Sequence, residues 1–206
     1  MSTIQWELPP RRRGMTGMLD AFVGPGATKA ELLLQFGGAT VAAVAASLYA
    51  AAVQPEWGIV HRLLTAVFAV DLIGGIITNA TSAAKRWYHR PQRGHWAHLS
   101  FAAVHLLHVV LVAWLFMGGR WDFLLQAAGI LVTSILLVHF VPLYLQRPVA
   151  FICYSATLLF FLYGPEPVTG LEWFVPFFFL KVLMSHAVRE EPYRPERGAA
   201  VTHELD

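Results

Sequence analysis

The chain has 206 residues, of which 56% are hydrophobic and only 14% charged, with a formal net charge of +2 and a mean hydropathy of +0.53. A soluble domain carries about a quarter charged residues, so most of this chain is excluded from a water-soluble fold and no nucleic-acid partner is expected. The single cysteine, Cys153, excludes an intrachain disulfide, a Cys-x-x-Cys site and a covalently attached c-type haem; it reads as a small apolar core residue.

Residues 1–28 open the chain with Pro9-Pro10 and Arg11-Arg12-Arg13 and hold no apolar stretch of the signal-peptide kind, so they are expected to be a cytoplasmic segment. From there to residue 188 the sequence predicts an all-α, multi-pass membrane domain of six helices, over 31–53, 58–83, 95–117, 121–145, 148–164 and 169–188. Segments this long and uniformly apolar do not suit the alternating strands of a barrel. The fifth is the shortest. About 17 residues at 1.5 Å each fall short of a hydrocarbon core of roughly 30 Å. Along the first, Gly38, Ala42, Ala46 and Ala50 recur every four positions, a stripe that lets a neighbouring helix approach closely. On the sixth, Pro176 predicts a kink ahead of Lys181. The polar segment 189–206 reads as a loosely ordered cytoplasmic tail.

Charge placement orients the domain. Arg11, Arg12, Arg13, Lys29, Lys85, Arg86, Arg90, Arg93, Arg147, Arg189, Arg194 and Arg197 fall on one side, against Arg62 and Arg120 on the other. The positive-inside rule then puts both termini in the cytoplasm and the protein in the cell membrane. Trp57, Trp114, Trp121 and Trp173 mark the outer interface, and Trp87 and Trp96 the inner one.

Polar residues interrupt this pattern. Asp71, Asn79, His98, His105, His108, His139, Lys181 and His186 lie within or at the ends of the apolar stretches, between the midplane and the cytoplasmic surface. A charged side chain at membrane depth costs about 2.5–3.5 kcal/mol on insertion scales, so such a group needs a partner, a watery cavity or a function. Turned inward, these residues predict a cavity entered from the cytoplasm. Asp71, Asn79 and Lys181 are the candidate catalytic groups, with Lys181 the charge partner of Asp71. His105-x-x-His108 puts two imidazoles on one helical face, and His139, His186 or Asp71 could complete a zinc or non-haem iron shell. His89, Arg90 and Arg93, between the second and third spans, and His98, at the start of the third, form a candidate clamp for a phosphate or lipid headgroup.

Three functions follow as expectations. The first is a metal-dependent membrane enzyme acting on a lipid-like or other hydrophobic, amphipathic molecule. The second is a proton- or ion-coupled transporter or channel built on Asp71 and Lys181, with membrane lipids around it and a homo-oligomer to enlarge so small a bundle. The third is a b-type haem protein ligated by His105 or His108 with His139. The gathering of histidines at the cytoplasmic side resembles the membrane desaturases and hydroxylases. Their His-x-x-x-His and His-x-x-His-His boxes are both absent, which separates this chain from that group. The final His-x-x-x-His of alkaline ceramidase-type hydrolases is absent as well.

Overall fold

The computed structural model describes residues 2–4, 6–191 and 193–195. It is helical apart from one short ribbon, in which β1 (Ser2–Ile4) pairs antiparallel with β2 (Tyr193–Pro195). Five helices are long and apolar enough to cross a membrane: α2 (Lys29–Val53), α3 (Ile59–Ala80), α5 (Trp96–Phe116), α6 (Trp121–Phe140) and α7 (Leu143–Tyr163). Two shorter helices, α1 (Gly14–Val23) and α4 (Ser82–Tyr88), lie together at one end of the bundle. The last helix, α8 (Phe174–Ala187), is below spanning length. It nonetheless runs the depth of the bundle, from Gly170 beside Trp57 at one end to Val188 beside Lys85 at the other.

Several boundaries differ from the sequence expectation. Helix α6 ends at Phe140 rather than 145, because Pro142 drives Val141 into extended backbone. Helix α7 therefore starts at Leu143 and has 21 residues, about 32 Å, so it is not the short span expected. Pro148 sits inside it without breaking it. Pro176 falls in the first turn of α8, where the missing N–H has no intrahelical acceptor to lose, and the expected kink is replaced by a change of helix type. Part of the expected loose tail is ordered as β2, and residues 196–206 lie outside the described residues.

Three stretches wind as π-helix: Val70–Gly74 in α3, Val112–Phe116 in α5 and Leu180–Ala187 in α8. Each π turn advances the helix phase and redirects the side chains that follow, and such turns recur at functional sites. At the first of them Gly74 faces α2. A Cβ there would meet the Ala39 Cβ at 2.7 Å, so glycine permits the close approach of the two helices. The stripe Ala42, Ala46 and Ala50 is buried within the chain, with Ala42 and Ala46 packed on Ala69 and Ile73 of α3.

The helix termini are closed by specific contacts. Thr28 and Glu31 form a capping box at the start of α2, and the second carboxylate oxygen of Glu31 accepts the Ala83 N–H of α4 at 3.1 Å. Lys85 donates to the carbonyls of Ser185 and Val188 at 2.7 and 2.8 Å, closing the end of α8. The core joins Phe68 and Leu72 of α3, Val109 and Val112 of α5, Leu131 of α6 and Phe174, Phe178 and Leu183 of α8. The outer faces are also apolar: Leu33, Val41 and Leu48 on α2, Leu63 and Val67 on α3, Leu125 on α6 and Ile152 and Leu159 on α7 are exposed. A surface of that kind suits lipid rather than water.

Candidate functional site

The polar residues form two clusters joined by aromatic rings. The inner cluster is centred on Asp71 Oδ2. Lys181 Nζ donates to that oxygen at 2.6 Å, His108 Nε2 lies 3.0 Å from it and His105 Nε2 lies 3.7 Å away. Asp71 stands in the π turn of α3 and Lys181 in the π stretch of α8, so both poles of the pair occupy irregular helix. Gly75 provides the space between them. A Cβ at that position would sit 2.5 Å from the Lys181 Cε, inside the route by which the lysine reaches the carboxylate. The Lys181 side chain is 4% exposed, whereas Asp71 keeps 40%.

Ring orientation follows from the partners. His105 Nδ1 lies 2.7 Å from the Phe101 carbonyl, which can only accept, so Nδ1 carries the hydrogen and Nε2 is the end turned to Asp71. His108 donates to Asp71 through Nε2, and its buried Nδ1 has no partner among the described residues. The His105 and His108 rings stack with centroids 5.3 Å apart and planes 7° from parallel.

The second cluster lies at the arginine-rich end. His98 Nδ1 and His186 Nε2 are 3.3 Å apart, and His89 stacks on His98 with centroids at 4.9 Å. Phe101 links the two clusters, stacked on His186 at 3.6 Å and packed against His105 at 4.2 Å. A pocket of about 300 Å³ runs beside these rings, with Tyr88, His98, Phe101, His105 and His186 in its wall. An adjoining pocket of about 330 Å³ is bounded by Arg90, Arg93, Arg189, His89, His98 and His139. Burial pushes the His89 imidazole down to about 3, and the neighbouring Lys85 and His98 charges add to that effect.

The chain matches no known protein family, and no curated protein or solved structure is similar to it.

The candidate residues thus separate by position. Asp71, Lys181, His105 and His108 come together. Asn79 is buried on α3 eight positions beyond Asp71 and stands apart from that cluster. Of the side chains that could complete a metal shell, Asp71 meets His105 and His108, whereas His186 and His139 do not. His186 belongs with His98 and His89, and His139 lines the arginine pocket. Among the described residues no three His, Cys, Asp or Glu side chains are placed to hold a metal ion together. The ammonium of Lys181 occupies the Asp71 oxygen that a cation would need. Nor do the residues fit a haem: His105 and His108 face each other as stacked rings, and His139 lies at the far end. His89, Arg90, Arg93 and His98 do line one pocket. Phe101 and Tyr88 were not expected at the site, Gly75 was expected only on the polar face of Asp71, and Arg189 only as an orienting cation. Phe101 carried a signal, since it stands three residues after His98 and four before His105 on the same helical face.

Proposed function

We propose that this is a multi-pass membrane protein whose intramembrane site couples a proton to the movement of a small solute, with both termini in the cytoplasm. The observation that carries this reading is the convergence of Lys181, His108 and His105 on the single oxygen Oδ2 of Asp71. A buried lysine held by a carboxylate within an apolar bundle is stable only while both remain charged and in contact. With His105 Nδ1 donating to Phe101, a proton arriving at Nε2 makes an imidazolium directed at Asp71. It then competes with Lys181 for the same oxygen, and loss of the lysine contact frees the π stretch of α8 to move. Proton arrival is thereby tied to a helix displacement.

The pocket beside Phe101 supports a route for that proton. A phenyl ring carries none, but about 300 Å³ holds several waters at roughly 30 Å³ each, between His98 and His186 at one end and His105 at the other. The ribbon joining the two ends supports an even number of crossings, with α8 as the sixth, and the cations collected at that end support its cytoplasmic placement.

Proteoliposomes containing a pH-sensitive dye test the reading. Under an imposed proton gradient, a panel of small anions, amines and neutral solutes is offered to wild type, Asp71→Asn and Lys181→Gln. Solute-dependent proton entry that is lost in both variants is expected. Equal proton entry in all three would overturn the proposal. So would elemental analysis finding near one zinc or iron per chain that disappears in His105→Ala/His108→Ala, because the site would then be a metalloenzyme's.

A further inference from the structure

We infer that the pocket between α4, α5 and the end of α8 is a binding site for a phosphate group. Three arginines line it, Arg90 and Arg93 from the connection after α4 and Arg189 from the segment after α8. Each is positioned by an aromatic ring instead of a carboxylate. Arg90 lies 3.7 Å over Trp87 and donates to the Trp87 carbonyl, Arg93 lies over Tyr88, and Arg189 lies 4.5 Å over Trp6. Among the described residues no carboxylate is within ion-pair distance of these three arginines. Glu190, the next residue after Arg189, is drawn to Lys85 and Arg147.

The rest of the wall has the same preference. Gly94, which lines the pocket, lies just before the first turn of α5 and offers no capping side chain. Backbone N–H groups at a helix start and arginine forks together are the donor set a phosphate oxygen selects. His89, His98 and His139 add further ring nitrogens, and the volume of about 330 Å³ exceeds what one phosphate group needs. Burial, followed by the Lys85 and His98 charges, keeps the proton affinity of His89 low.

The phosphate can belong to a membrane lipid headgroup or to a free anion, and titration distinguishes them. Full-length protein in dodecyl maltoside is titrated with inorganic phosphate and, separately, with dioctanoyl phosphatidic acid. The readouts are Trp87 emission and thermal shift, with His89 followed by NMR. Saturable binding to both titrants identifies a free-anion site, and binding to the lipid alone identifies a headgroup site. Either result is expected to bring a rise in His89 proton affinity. Affinity should fall about tenfold or more in Arg90→Gln/Arg189→Gln, with Arg90→Lys retaining charge but losing the forked contact. Lys29→Gln, a change at an exposed cation on α2, should leave affinity unchanged. Failure of both titrants to saturate, or an equal loss in Lys29→Gln, would overturn the inference. The outcome is independent of whether Asp71 moves protons.

Discussion

At the scale of single residues, the molecule is organised around one carboxylate oxygen. Removing either charge of the Asp71–Lys181 pair leaves the other without its counter-ion, whereas removing both leaves none. Asp71→Asn and Lys181→Met are each expected to lower stability by about 2–4 kcal/mol, with the double variant recovering at least half. Unfolding in mixed detergent micelles measures this. His89 gives a pH dependence with a defined sign. Its imidazole is held near 3 in the folded protein against an ordinary value of 6.5, so below pH 6.5 the unfolded chain binds a proton that the folded one refuses. Stability from this group is complete above pH 6.5 and is lost as pH falls toward 3. Melting temperatures across that window should fall less steeply in His89→Gln than in wild type. Depth and helical spacing made the polar residues visible in the sequence, because charge is expensive in lipid and stands out there. Spacing put Gly75 on the Asp71 face but did not show its role. Its contribution is an absent methyl group, and that matters only once Lys181 is known to pass beside it.

At the scale of elements, the spans were legible from apolar length, and their ends were not. Gln146-Arg147-Pro148 reads as an interhelical break, yet the break falls at Pro142, where proline acts on the backbone of the residue before it. The π stretches had no compositional mark at all. They change the angular phase of α3 and α8 at Asp71 and Lys181, so a face drawn at 100° per residue cannot predict which side chains meet. Glu31 shows how one side chain serves two elements, since it completes the capping box of α2 and accepts the first-turn N–H of Ala83 in α4. Thr28→Ala should cost about 1 kcal/mol, and Glu31→Ala more, because it opens two helix starts. Comparing their melting temperatures with that of the Thr28→Ala/Glu31→Ala pair checks the ranking.

At the scale of the whole molecule, the charge asymmetry and the paired ends make one joint prediction. In a Cys153→Ser background, Glu166→Cys should react with a membrane-impermeant maleimide applied to intact cells. Met15→Cys and Gln92→Cys should react only after the cells are opened. All three positions are exposed, so accessibility to the reagent is decided by the side of the membrane. Labelling of Met15→Cys in intact cells would reverse the orientation.

The ribbon of Ser2–Ile4 with Tyr193–Pro195 also orders events in time. Its first strand leaves the ribosome well before its second. At about 5–20 residues per second, roughly 10–40 s of synthesis separate them. Every crossing must be laid down in that interval. The ribbon is therefore a seal that closes only after residue 195 has emerged, and a nascent chain halted before residue 193 leaves its leading strand without a mate.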